Sequence, residues 1–287
     1  MKTEPKVPSL DEYWGKLEPH LRRFSLEEQR AALALYRELA KGQAVDHEQL
    51  GRALGCSPAE SRALLERDSI KCFVYPDSEG RVLGFGGLAA APMHHRFEVN
   101  GRSLWTWCAW DSLFIPEILG RPARVASPDP ETGELVRLVV TPERIESVEP
   151  DATVISFVQP DAEVFRASVA NVMAKFCHFI FFFASRSSGE RWVAKNPGTF
   201  LYTLEQAFTL AKAAQRQKLW ITIGANQYGP AVGNDPARAT TSRRSFRDLS
   251  RGLDALERHG RSRVGGQSHH DQGASAKPRT NAHGAAV

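Results

Sequence analysis

Three side chains in this 287-residue chain have the makings of a reactive centre. Cys108 and Asp111 lie three apart in the apolar, aromatic stretch WTWCAWDSLFIPEILG, and Cys177 lies in a second apolar run, FCHFIFFFA. If the chain around Cys108 is helical, that spacing puts thiol and carboxyl on one face, about a turn apart. Apolar surroundings disfavour a charged carboxylate and so help an acid to hold its proton. Such an acid can take a proton from a thiol or deliver one to a group bound at the sulfur. Two thiolates and a carboxylate without a histidine cluster suit a soft metal ion rather than Mg²⁺ or Ca²⁺. Residue types alone leave plainer alternatives open. Cys108 reads equally as a small buried hydrophobe, Asp111 as a helix N-cap, and Trp105, Trp107 and Trp110 as core.

Other chemistries find no template. The sequence holds no GxSxG, HExxH, P-loop or strand-following GxGxxG. Gly84–Gly87 (GFGG) is a lone glycine-rich turn. The four cysteines, Cys56, Cys72, Cys108 and Cys177, never fall in CxxC spacing, so a structural zinc site is not expected. His178 beside Cys177 and the tail residues His269, His270 and His283 are poor ligand candidates. Hydrophobic content of 42% and charged content of 24% fit a globular protein. The net charge of +4 is concentrated after residue 220, where 10 Lys/Arg face 5 Asp/Glu. The body is therefore near neutral and lacks the basic stripe of a nucleic-acid binder. The N-terminus has no apolar h-region, and the apolar run at 176–184 is too short to cross a bilayer. These features predict a cytoplasmic protein with free thiols.

The elements that must position the three groups can be read in outline. Ser25 with Glu28 forms a capping box ahead of a helix ending near Gly42. Asp46 caps a second helix that stops at Gly55. Ser57 and Pro58 start a third, with Glu60 three on from the cap. A hairpin follows across PDSEG, so 25–95 has the winged-helix order. The charges on its third helix (Glu60, Arg62, Glu66, Arg67) cancel, which argues against DNA reading. Asn100-Gly101 marks another hairpin, IPEILG a short helix, and PARVAS, ELVRLVVTP and ATVISFVQP strands. KFCHFIFFFAS reads as a buried strand with Cys177, Phe179, Phe181 and Phe183 on one face. Thr203 is the expected N-cap of the helix TLEQAFTLAKAAQRQ. An amphipathic helix at 245–260 and a disordered Gly/Ser/His/Arg-rich end complete the reading. The expected class is α+β. An N-terminal extension (1–24) leads into a winged-helix-like three-helix domain (25–95). A catalytic domain of mainly antiparallel strands (96–220) and a largely disordered extension (221–287) follow.

This arrangement resembles the organomercurial (alkylmercury) lyases over roughly 31–217. LWTWCAWDSLFIPEILGRPARV is similar to the family's Trp-Cys-x-x-Asp core with its following Pro and Gly-Arg. FCHFIFFFAS resembles the second-cysteine strand, and TLEQAF the next helix start. The resemblance implies protonolysis of a carbon–mercury bond to a hydrocarbon and Hg(II). It gives Cys108, Asp111 and Cys177 the catalytic roles and transient contact with Hg(II). It implies no resident cofactor, since the metal arrives with the substrate. Low-molecular-weight thiols or a mercuric reductase would take the Hg(II); neither a membrane nor nucleic acid is an expected partner. Two positions depart from the family pattern. Asp129 stands where many members carry a further cysteine, and His178 where some carry a second one. The other class of function compatible with the residues is a non-catalytic thiol-based metal sensor or winged-helix regulator.

Overall fold

The computed structural model describes residues 7–218 apart from 22, 162–163 and 165–167. Four helices come first: α1 (Leu10–Leu17), α2 (Leu26–Leu39), α3 (His47–Leu54) and α4 (Pro58–Leu65). Each begins at a reciprocal capping box: Ser9 with Glu12, Ser25 with Glu28, Asp46 with Gln49, Ser57 with Glu60. These boxes satisfy amide groups that the first helical turn leaves without partners. The last three helices lie where the sequence places them. α1 is additional, inside the segment read as an N-terminal extension.

An antiparallel sheet of eight strands follows, in the order β1-β2-β3-β5-β4-β6-β7-β8. The strands are β1 (Val74–Pro76), β2 (Val82–Phe85), β3 (Leu88–Ala89), β4 (His95–Val99) and β5 (Arg102–Thr106), then β6 (Ala123–Pro128), β7 (Leu135–Val140) and β8 (Ile145–Glu149). The β4–β5 turn is Asn100-Gly101, at φ +51° and +69°, the pair of left-handed residues a two-residue hairpin needs. The β1–β2 hairpin after α4 is one edge of this sheet, and β3 pairs with β5. Backbone pairing is therefore continuous across residue 95. Helix α5 (Asp111–Leu119) connects β5 to β6.

A second sheet has three antiparallel strands in the order β10-β9-β11: β9 (Val154–Val158), β10 (Phe182–Phe183) and β11 (Thr199–Thr203). Helices α6 (Val169–Lys175) and α7 (Arg186–Lys195) flank β10, and α8 (Leu204–Lys218) follows β11, capped by Thr203 as expected. The expected strand through Cys177 is not formed. Cys177–Phe179 is a single 3₁₀ turn at the end of α6, and only Phe182 and Phe183 pair in the sheet. A short run of phenylalanines satisfies the pattern of either a buried strand or a buried turn. Here the backbone is fixed by Ser156, whose hydroxyl donates to Phe179 O and accepts from Phe181 N. The helix expected at 245–260 and the tail lie outside the described residues.

One apolar cluster joins α1, both sheets and α5. Tyr13 of α1 is fully buried, edge-on to Phe157, Phe200 and Tyr202, with its hydroxyl donating to Val158 O at 3.0 Å. Tyr202 returns a bond to Pro8 O at 2.9 Å. Each aromatic pair contributes about 0.5–1.5 kcal/mol beyond area burial, so α1 is firmly fastened over the second sheet.

Candidate active site

The site begins where β5 leaves the large sheet. Trp107 N–H donates to Gly87 O at 2.8 Å, the last tie to the neighbouring β2–β3 turn. Thr106 Oγ1 then donates to Cys108 O at 2.9 Å and turns the chain toward α5. Asp111 is the first residue of α5, not its cap. Trp110 stands at the N-cap, and its side chain makes no capping bond to the helix. The Asp111 carboxylate folds back and accepts the Cys108 N–H at 2.9 Å. That bond fixes the acid beside the thiol, and the positive end of the helix favours an acid in the first turn. Helix α5 is itself held at both ends. Trp110 Nε1 donates to Ala207 O of α8 at 3.0 Å. At the far end Glu117 pairs with Lys212 of α8 at 2.7 Å, and Lys212 also donates to Pro142 O. Burial lowers the Lys212 pKa, and the Glu117 charge opposes that shift.

Cys177 arrives from the connection between β9 and β10. The 3₁₀ turn after α6 is joined to the Cys108 segment by Ala109 N–H donating to Ile180 O at 3.1 Å. Cys108, Asp111 and Cys177 are all buried, and their ligand atoms lie within 4.8 Å of one another. Metal–sulfur bonds of about 2.3 Å let a single ion reach both sulfurs at such a separation. Burial pushes the Cys108 thiol well above its ordinary pKa, helped by its hydrogen bond with Cys177 and by the negative charge of Asp111. The resting thiol is therefore protonated at neutral pH.

The cavity beside Asp111 and Cys177 is only about 40 Å³. Its walls are mainly apolar: Leu17 of α1 and Leu21 after it, Trp110 and Phe114 at the start of α5, and Val172 and Phe176 at the end of α6. A larger depression of about 470 Å³ lies on the solvent face of β4, β6, β7 and β8, among Arg96, Arg124 and Arg137. None of the residues lining it is a cysteine.

All three residues singled out from the sequence thus meet. Four contributors to the site were not foreseen. Tyr13 and Leu17 come from the unexpected α1, and ionisation of Cys108 is among the causes that raise the Tyr13 pKa, after burial and Tyr202. Gly87 and Tyr36 lie on the far side of Asp111. The GFGG turn was the visible signal for Gly87; Tyr36 had none. The two departures from the family pattern stand apart from the trio. His178 is exposed. Asp129 is buried and accepts from Ala184 N–H and the Ser188 hydroxyl.

Comparison with known proteins gives a consistent answer. The alkylmercury lyase family model matches residues 88–215. An alkylmercury lyase of Staphylococcus epidermidis is 37% identical over 179 residues, covering 62% of this chain and 78% of the relative. One from Streptomyces lividans is 39% identical over 178 residues, covering 61% and 76%. Among solved structures, "Crystal structure of the mercury-bound form of MerB2" superposes with a TM-score of 0.59 at 22% identity. It covers 72% of this chain and 97% of that one, a likeness of fold. With more than three quarters of such relatives spanned at well over 30% identity, the chain belongs to the alkylmercury lyase family.

Proposed function

We propose that this lyase breaks the carbon–mercury bond at the Cys108–Asp111–Cys177 centre. The observation that carries the reading is the convergence of two thiols and one carboxyl, all buried, within 4.8 Å. The substrate is an organomercury compound R–Hg–X. The Cys108 sulfur bonds mercury and X leaves with the Cys108 proton, giving Cys108–S–Hg–R. The Cys177 sulfur then adds to mercury and its proton passes to Asp111. A second sulfur donor raises electron density on the metal and weakens the bond to carbon. Asp111 delivers the proton to carbon as that bond breaks, and the bonding pair leaves in R–H. Mercury remains as Hg(II) on two thiolates. Two external thiols exchange onto the metal, return a proton to each cysteine and carry Hg(II) away, directly or to a mercuric reductase. No resident cofactor takes part.

The apolar walls serve the same sequence. They suit a hydrophobic organic group and cost a charged carboxylate more than a neutral one. The cavity is much smaller than the roughly 150 Å³ that takes up benzene, so an arylmercury is expected to displace some of the walls. In the same reading, 25–95 is a winged-helix-like scaffold rather than a DNA reader, and 96–220 is the catalytic part. A reducing, cytoplasmic setting keeps the two thiols free.

The test is phenylmercury with excess thiol, followed by release of benzene. Cys108→Ser and Cys177→Ser should each reduce release to background while the chain stays folded. Near wild-type turnover by either variant would remove the two-thiol mechanism.

A further inference from the structure

The mechanism leaves the GFGG stretch without a role. Pairing of Phe85 with Leu88 makes Gly86 and Gly87 the two central residues of the β2–β3 hairpin, at φ +51° and +103°. Positive φ at both positions already favours glycine. The surroundings demand it a second time. A Cβ on Gly87 would stand 2.4 Å from Asp111 Cγ and 2.5 Å from its Oδ1. A Cβ on Gly86 would stand 2.4 Å from the Tyr36 hydroxyl. The turn is thus packed between the acid on one side and a tyrosine of α2 on the other.

Three bonds pin it there. Gly86 N–H donates to Phe73 O at 2.9 Å, Trp107 N–H donates to Gly87 O at 2.8 Å, and the Tyr36 hydroxyl donates to Gly86 O at 2.7 Å. Only the last comes from a side chain. Tyr36 is buried, with its ring edge-on to Phe85 at 5.4 Å. Burial and the Asp111 charge both raise its pKa, so it remains a donor and lies within electrostatic reach of the acid.

We infer that Tyr36 is a positioning residue for proton delivery. Its hydroxyl fixes the Gly86–Gly87 peptide against which the Asp111 carboxyl rests, and so sets that carboxyl's direction toward the two sulfurs. The inference depends on Asp111 being the proton donor. A general acid must stay within hydrogen-bond reach of its target, and a displacement of about 1 Å can cost about 100-fold in rate. Tyr36 and Gly86–Gly87 lie before residue 88, where the family match begins. The helical segment thereby contributes to the chemistry and not only to the scaffold.

The experiment uses the full chain with Tyr36→Phe, Asp111→Asn and the double variant, measuring benzene release from phenylmercury and stoichiometric Hg(II) binding. Tyr36→Phe should lower kcat about 10-fold or more. KM and the one Hg(II) held per chain should not change. In the Asp111→Asn background the same substitution should have no further effect, because the hydroxyl acts through that carboxyl. Wild-type kcat in Tyr36→Phe, an equal further loss in the double variant, or loss of the fold would each overturn the role of Tyr36. Gly87→Ala approaches the carboxyl from the other side and should lower kcat with Hg(II) binding retained; wild-type kcat there would also overturn the proposal. Wild-type cleavage by Asp111→Asn would instead remove the proton-donor assignment itself, so the two failures are distinguishable.

Discussion

Two buried carboxylates follow neighbouring stretches of the large sheet, and they are put to opposite uses. Asp129 follows β6. Its Oδ1 accepts from Glu131 N–H at 2.8 Å and Thr132 N–H at 3.3 Å, and its Oδ2 from Ala184 N–H at 2.9 Å and the Ser188 hydroxyl at 2.6 Å. All four donors belong to fixed structure. Asp129 therefore ties the β6–β7 turn to the start of α7 across the two sheets. Asp111 follows β5. One of its oxygens rests on the Cys108 N–H, and the carboxyl faces two sulfurs whose protons must move if mercury is to bind. Burial does not separate the two acids. The exchangeability of their neighbours does. Asp129 also occupies a position where the family resemblance leads one to expect cysteine, and in this chain that position holds the architecture together.

The comparison breaks or sharpens under paired substitutions. The largest effect is expected from Asp111→Asn. The amide keeps an acceptor for Cys108 N–H but has no proton to deliver, so benzene release from phenylmercury should fall by about 10²–10⁴. Hg(II) binding and the thermal midpoint should stay close to wild type. Asp129→Ala should do the reverse. It leaves four donors without their acceptor, at about 1–3 kcal/mol for each that stays dry, partly offset by water. A loss of about 3 kcal/mol in urea unfolding is expected, with turnover per folded molecule retained. If folded Asp129→Ala lost cleavage while Asp111→Asn kept it, the two roles would have to be exchanged.

A third substitution separates holding the acid from being the acid. Lys212→Ala leaves Glu117 charged and only partly exposed at the far end of α5. Breaking such a pair costs about 3–5 kcal/mol when fully buried, and about 2–3 kcal/mol is expected here with Glu117 partly exposed. Because Trp110 still anchors the near end of α5, kcat should fall no more than about threefold. A loss of kcat as large as that of Asp111→Asn would mean the whole helix, and not the local Cys108–Asp111 bond, sets the geometry.

What could be read in advance follows the same division between local and distant contacts. The Ser25, Asp46 and Ser57 caps act on residues three positions away, so they announce α2–α4 directly. Asn100-Gly101 announces β4–β5 for the same reason, and the i, i+3 spacing places Asp111 beside Cys108. The Ser9–Glu12 box carries an equal signal for α1, but the helix is stabilised by Tyr13 among distant rings that the sequence does not bring together. Cys177 is the harder case. Five phenylalanines within residues 176–183 read as a strand. The 3₁₀ turn exists because Ser156 and Ala109, both far away in the chain, bond its backbone. That Cys177 reaches Cys108 was expected from family resemblance, not from any local pattern. The contact of Gly87 with Asp111 had no signal beyond two adjacent glycines.

The smallest expected effect concerns acidity, and it discriminates between the acids through a single thiol. Cys108 is raised first by burial, then by its bond with Cys177, then by the charge of Asp111. Asp129 is not among these causes. A thiol whose folded pKa exceeds the unfolded value of about 8.5 stabilises the fold below that pH. The contribution is lost as pH rises toward the folded pKa. Wild-type protein should therefore lose thermal stability above about pH 9, and Asp111→Asn, with a less elevated thiol, should lose less over the same interval. Alkylation reads the same quantity chemically, because only the thiolate reacts. At a fixed pH near 9, mass spectrometry should show Cys108 modified by iodoacetamide on the order of threefold faster in Asp111→Asn than in wild type, and at the wild-type rate in Asp129→Asn. Equal acceleration in both variants would mean that loosened packing, not charge, exposes the thiol, and the electrostatic half of the contrast between the two acids would fall.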